Sequence, residues 1–169
     1  MSLNHIVRAV INYLEERNYQ FVDFLGSGGF ADVISVFNPA GQKMAVKIIQ
    51  RKNVWAIEDE YWPSLQHPNI LPVTNIITVK EYDVRLYFMP QLPDSLDNIV
   101  HSDRFRKDPG SFNRIKKWLL QILSALEYLH SHRLCHLDMK SDNILIDEDD
   151  NAMLADFSGL NFTIFPVNR

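Results

Sequence analysis

The chain contains one cysteine, Cys135, among its 169 residues, so no disulfide can form within it. Its amino terminus lacks the apolar core of a secretory signal, and together with the lone thiol this makes the reducing cytoplasm or nucleus the expected address. No stretch approaches the 18 or more uninterrupted apolar residues that cross a bilayer, so membrane insertion is not expected. Excess positive charge is missing too. Lys and Arg number 17 against 21 Asp and Glu, a formal charge of -4, and a binder of nucleic-acid backbones needs the opposite balance. Nucleic acid is therefore not an expected partner. Repeats and low-complexity blocks are also missing. What is present is ordinary: 46% hydrophobic and 22% charged residues, enough to bury a core as one domain or two small lobes.

The hydrophobic period changes in order along the chain. Over residues 4–17, Ile6, Val7, Val10, Ile11 and Leu14 share one helical face, and Arg8, Glu15, Glu16 and Arg17 lie elsewhere, which predicts an amphipathic leading helix within residues 1–19. From Phe21 to Ile49 the runs FVDFL, DVISVF and KMAVKII, with a turn at Asn38-Pro39-Ala40-Gly41, predict three antiparallel strands. A short helix is expected from about Asn53 to Trp62, broken or kinked by Pro63, which has no amide proton to give. Two more strands, roughly 70–79 and 84–89, complete a five-stranded sheet over residues 20–89. After a Pro-rich linker at 90–93, Ile115, Trp118, Leu119, Ile122, Leu126 and Leu129 recur at helical spacing and predict a helix over 112–132. Short strands near 144–146 and 152–155 flank the acidic turn DEDDN. The expected fold class is α+β, a small β-rich lobe followed by a helical one over 94–169. Its core should include Phe24, Val46, Ile48, Leu86, Phe88, Ile122, Leu126 and Leu145.

Three features carry chemistry. GSGGFADV, Gly26 to Val33, lies between the first two strands, and glycine there lets backbone approach phosphate oxygens with no Cβ in the way, although any Gly-rich hairpin gives a similar string. Lys47, in the apolar strand AVK, must aim its ammonium at a partner unless it sits on a sheet edge facing water. The third is HLDMKSDNILID, His136 to Asp147, followed by ADFSG, Ala155 to Gly159. Asp138, Lys140 and Asn143 fall on a short loop after the long helix, and Asp156 falls after a strand. A carboxylate for an acceptor hydroxyl, a lysine for the moving phosphate, and Asn with Asp for a divalent metal are the groups phosphoryl transfer needs.

These segments resemble, in order, the Gly-rich loop, the strand lysine, the H-R-D-x-K-x-x-N catalytic loop and the D-F-G metal loop of the eukaryotic-type protein kinase family, over residues 20–160. The resemblance implies a five-stranded antiparallel N-lobe with one helix and an incomplete helical C-lobe. It also implies ATP and Mg²⁺ as cofactors. Leu25, Gly26, Ser27, Gly28, Gly29, Phe30, Ala31 and Val33 would cover the nucleotide, and Lys47 would contact its α- and β-phosphates. Glu58 would be the lysine's helical partner, with Glu60 as the alternative. Asp138 and Lys140 would act on the acceptor hydroxyl and the phosphate, and Asn143 and Asp156 would hold the metal. Val33, Ala45 and Leu145 match positions that sandwich adenine. Phe88 matches the residue gating the back pocket, and Met89 and Gln91 match backbone contacts in the hinge. His136 and Phe157 match packing positions.

Several positions depart from the family pattern. Ala31 stands for the third glycine of the loop, and Ser158 for the glycine of D-F-G. Leu137 stands for the arginine that receives an activation-loop phosphate, so independence from such phosphorylation is expected. Glu58 lies eleven positions after Lys47, a shorter spacing than is usual in the family, so the pairing helix must be short. No A-P-E segment follows, so the catalytic part is expected to be cut after the metal loop and weak alone in peptide transfer. Trp118, Leu119 and their neighbours should then be partly exposed. Lys140 two residues after Asp138 implies serine/threonine acceptors, since tyrosine-specific relatives usually carry Ala-Ala-Arg there. Three readings follow: a serine/threonine protein kinase acting on a protein substrate, a nucleotide-binding kinase-like regulator of a partner kinase, and a small-molecule kinase, for which Lys140, AVK and ADFSG are the weakest match.

Overall fold

A computed structural model describes residues 4–54 and 56–163. Trp55 and the ends of the expected leading and trailing segments, 1–3 and 164–169, lie outside the described residues. The chain divides into two compact units, one of the residues up to Val54 with Val73–Gln91, the other of the residues through Pro72 with Leu92 onward. The α+β class, with its five-stranded antiparallel sheet, is present as expected.

In the first unit, helix α1 (His5–Glu15) precedes strands β1 (Gln20–Ser27), β2 (Ala31–Phe37) and β3 (Lys43–Gln50). After the intervening segment come β4 (Asn75–Val79) and β5 (Val84–Pro90). Spatial order is β1-β2-β3-β5-β4, so β3 is central. Alternation assigns the two faces. Ile34 and Val36 of β2, Val46 and Ile48 of β3, and Leu86 and Phe88 of β5 form one cluster with Val7, Val10, Ile11 and Leu14 of α1. Each of those four helix side chains is worth ~1.5–3 kcal/mol when fully removed from water, which is why an eleven-residue helix persists here. The expected fourth strand began at residue 70. The observed one begins at Asn75, because residues 69–71 pair elsewhere.

In the second unit the helix expected over residues 53–62 is α2 (Ala56–Tyr61), continued by a 3₁₀ turn Trp62–Ser64 that takes up Pro63 in its first residues, where a missing N–H costs least. This segment is stitched to the hairpin of β8 (Ile144–Ile146) and β9 (Ala152–Leu154). The Leu71 amide donates to the Leu154 carbonyl and the Leu154 amide to that of Asn69, both at 2.8 Å, and buried Asn69 Nδ2 donates to the Ala152 carbonyl at 2.8 Å. Trp62 Nε1 donates to the Leu71 carbonyl, and its ring lies 5.3 Å from that of Phe157.

The linker leads through β6 (Asp94–Ser95) into two short helices that the periodicity did not announce, α3 (Leu96–His101) and α4 (Asp103–Lys107). Each begins at a serine whose hydroxyl accepts an amide hydrogen, Ser95 from Asn98 and Ser102 from Phe105. The long helix α5 spans Ser111–Ser131, and β7 (Leu134–Cys135) pairs with β10 (Asn161–Phe162). Trp118 is not exposed as expected. Its ring stacks on Phe105 at 5.5 Å and its Nε1 donates to the Asp150 carbonyl at 2.9 Å. Leu119 is exposed, with Phe112, Leu120 and Leu123. Of the expected core, Val46, Ile48, Leu86, Phe88 and Ile122 are buried, whereas Phe24, Leu126 and Leu145 are only partly so.

Candidate functional site

The loop from His136 to Asn143 is braced by its own polar side chains. His136 is 2% exposed and uses both ring nitrogens: Nε2 donates to the Ala155 carbonyl at 2.9 Å, and Nδ1 accepts from the Asp138 amide at 3.3 Å. A neutral imidazole satisfies both bonds, and burial pushes the ring's pKa down, opposed by the Ala155 bond and by the nearby Asp156 and Asp138 charges. It therefore anchors the loop and has no nitrogen to spare for proton transfer. Its ring meets Phe157 edge-on at 5.1 Å.

Asp138 is held from one side only. Its Oδ2 accepts from Lys140 Nζ at 3.0 Å and from Asn143 Nδ2 at 2.9 Å. The Asn143 amide also donates to the Asp138 carbonyl at 2.9 Å. The Lys140 ammonium holds the Asp138 carboxyl below the usual carboxylate range, with Asn143 acting in the same sense, and Asp138 in turn raises Lys140. At neutral pH the carboxylate is ionised and its Oδ1 accepts nothing from the described residues, which leaves one acceptor for an incoming hydroxyl.

Asp156 follows directly on this loop, because the Ala155 amide donates to the Asn143 main-chain carbonyl at 2.9 Å. Its backbone is left-handed (φ 58°, ψ 80°), and its carboxylate accepts from the Ser158 amide. Gly159 has a steric requirement that the motif reading missed. A Cβ there would sit 2.7 Å from the His136 carbonyl oxygen and 3.4 Å from Asp138. The signal was available in ADFSG, whose last residue is the glycine that lets the two loops touch.

Metal binding can be tested against the donor set. Among the described residues no group of three or more His, Cys, Asp or Glu could hold an ion by itself. Asn143 spends its amide N–H on Asp138 and so keeps its oxygen as a donor, and Asp156 adds a carboxylate. Two hard oxygens suit Mg²⁺, which takes few protein ligands and fills its octahedron with water and phosphate.

In the first unit, Lys47 is buried at 6% exposure on the central strand, which excludes the edge-lysine reading. Register puts Val33 and Ser35 of β2 and Ala45 of β3 on its face, together with Tyr87 and Met89 of β5. Phe88 corrects the sequence reading: it pairs with Val46, packs in the cluster under α1 and contacts Tyr19 at 5.4 Å, so it faces away from Lys47. Tyr87 and Met89 take the face that Phe88 was expected to occupy. Gln91 accepts a hydrogen bond from Ser35 through its side chain, at 2.5 Å. The Gly-rich loop is closed by the Gly28 amide donating to the Ala31 carbonyl at 2.8 Å. A Cβ on Gly26 or Gly29 would meet nothing within 4 Å, so the fold itself demands glycine at neither. Leu25 and Phe30 are exposed along the same loop. Glu58 on α2 is fully buried, Glu60 is exposed, and Leu145 on β8 is half-buried.

Residues 19–162 match the protein kinase domain family. The chain belongs to that family. It is 34% identical over 149 residues to the carbon catabolite-derepressing protein kinase of Saccharomyces cerevisiae, covering 83% of this chain and 23% of the relative. To the maternal embryonic leucine zipper kinase of Danio rerio it is 34% identical over 150 residues, 83% of this chain and 21% of the relative. The CBL-interacting serine/threonine-protein kinase 15 of Arabidopsis thaliana is 28% identical over 150 residues, 82% and 34%. The chain thus spans between about a fifth and a third of the length of these relatives. The matched span contains the Gly-rich segment, Lys47, Asp138, Lys140, Asn143 and Asp156; helix α1 lies outside it.

Proposed function

We propose that this chain is the nucleotide-binding and catalytic-loop part of a serine/threonine protein kinase, using ATP and Mg²⁺ to phosphorylate protein hydroxyls. The observation that carries the reading is the one-sided bracing of Asp138. A carboxylate fixed through Oδ2 and ionised at neutral pH presents Oδ1 to an acceptor hydroxyl, orients its lone pair toward phosphorus and takes its proton as the bond forms. Lys140, already at this carboxylate, would face the charge on the transferred phosphoryl group. Lys47 would bind the α- and β-phosphates, and Gly26 to Val33 would cover them. The open space above Gly26 and Gly29 supports this, since glycine there serves something that approaches the loop and not the loop's own packing. Asn143 and Asp156 would hold Mg²⁺, which supplies charge neutralisation at the phosphate oxygens. Serine/threonine acceptors are supported by Lys140 and by the similarity to the CBL-interacting serine/threonine-protein kinase 15 of Arabidopsis thaliana.

Asp138→Asn tests this in a protein carrying the sequence. Transfer to a serine peptide should fall by at least about a hundredfold, the lower range for a positioned acid–base group, with Mg-ATP affinity unchanged. Retained transfer would contradict the assignment of Asp138.

A further inference from the structure

The face of the sheet away from Lys47 carries a polar connection between α1 and the Gly-rich loop. Asn4 does two things at once. Its Oδ1 accepts from the Val7 amide at 2.9 Å and so caps α1, while its Nδ2 donates to Asp32 Oδ2 at 2.9 Å. Asp32 is the penultimate residue of the Gly-rich segment and lies opposite Ser27 across the β1–β2 pair. The Ser27 hydroxyl donates to the other carboxylate oxygen, Oδ1, at 2.7 Å. A single carboxylate therefore joins both strands of the loop to the capping residue of the helix. Four fully or nearly fully buried side chains, Val7, Val10, Ile11 and Leu14, fix that helix to the sheet.

Direction matters as much as distance. Asp32 shares its side of β2 with Ile34 and Val36, the residues under α1, whereas Val33 shares the side of Lys47. With its negative charge drawn to the outer face by two donors, Asp32 is kept off the face where phosphate would bind, and like charges there would repel. The Ser27 hydroxyl is committed to the same outer side.

We propose that α1 is a positioning element for the Gly-rich loop, and that Asn4, through Asp32 and Ser27, holds the loop in its phosphate-binding shape. This rests on the nucleotide reading above. It adds residues outside the span matched to the kinase family.

Asn4→Ser keeps a good helix cap but loses the amide that reaches Asp32. We expect Mg-ATP affinity to fall about threefold to tenfold, the scale of one ordinary intramolecular hydrogen bond, with adenosine affinity unchanged. Asp32→Ala should do the same, and the double variant should be no worse than either single one. In the free chain, amide exchange at Gly28, which reports closure of the loop, should quicken in Asn4→Ser while the unfolding midpoint stays put. Equal losses for ATP and adenosine, additive losses in the double variant, or unchanged exchange with unchanged ATP affinity would each overturn the proposal. If the wild-type chain binds no Mg-ATP, the nucleotide reading fails separately. The exchange arm then decides the helix–loop coupling alone: faster exchange supports it and unchanged exchange overturns it.

Discussion

The catalytic loop and the Gly-rich loop are built on opposite plans. In the first, His136, Asp138, Lys140 and Asn143 bond to one another and to Ala155, and Gly159 fits against the loop with no room to spare. In the second, Gly26 and Gly29 have open space, and the loop's restraint comes from one backbone bond and from a carboxylate tied to a helix outside it. Preorganised groups gain most where atoms must sit within a fraction of an ångström of the reacting bond. A cover over a ligand has to yield as the ligand enters and leaves. The proposed function would ask rigid positioning of the first loop and a yielding cover of the second, and the two designs suit those demands.

Alanine in place of glycine should separate the two loops most sharply. Gly159→Ala forces a Cβ against the His136 carbonyl, and overpacking of this kind costs about 1–3 kcal/mol in urea unfolding. Gly29→Ala meets nothing and should leave stability unchanged, or raise it by up to about 1 kcal/mol, while weakening Mg-ATP binding. Similar stability losses at both positions would remove the contrast.

Next in size is Asn143→Ala. It removes one hydrogen bond to the Asp138 carboxylate and one to its main-chain carbonyl, and should cost about 1.5 kcal/mol, where the ranges for neutral and charged partners meet. It should also raise the Asp138 pKa, measurable by carboxyl-carbon NMR titration. An unmoved pKa would mean that Lys140 alone sets it.

Acid should loosen the catalytic loop before it affects the Gly-rich loop. The folded-state pKa of His136 lies below its ordinary value of 6.5, so the unfolded chain binds the proton more readily. The stability from burying neutral His136 is complete above about pH 6.5 and is lost as pH falls through the lower folded value. His67, also lowered by burial, contributes in the same sense. Thermal midpoints should therefore drop between pH 7 and pH 5, with a shallower slope in His136→Gln. Equal slopes would place the titration elsewhere. The smallest effect belongs to Lys140→Ala. Its ammonium is half exposed, and an exposed pair of this kind contributes at most about 1 kcal/mol. Phosphoryl transfer should suffer far more than stability.

Most of the fold was legible because strand alternation and helical spacing are local. Val46 and Ile48 could be assigned to one side of β3 and Lys47 to the other from the sequence alone. The side taken by Phe88 could not, since it depends on the register of β5 against β3, a long-range pairing with no local signal. The short helices α3 and α4 escaped because five or six residues are too few to show a period. Their capping serines, Ser95 and Ser102, were the available clue. Trp118 was misjudged for a similar reason: what covers it is Phe105, thirteen residues back on α4, together with the Asp150 carbonyl on the acidic turn. The polar residues of the catalytic loop were readable because their types and spacing are themselves the chemistry. Gly159 stood in the ADFSG motif as a signal, but its reason, the approach of the His136 carbonyl, depends on how the two loops pack.

Calorimetric titration of Mg-ATP and of adenosine into the chain and into Lys47→Met tests the nucleotide-binding assignment most directly. The wild-type chain should bind Mg-ATP, and the variant should lose affinity for it by at least about tenfold, the worth of roughly 1.4 kcal/mol from a buried ammonium on phosphate. Adenosine, which has no phosphate, should bind both equally. No binding of Mg-ATP at millimolar concentration, or equal losses for both ligands in Lys47→Met, would contradict the assignment.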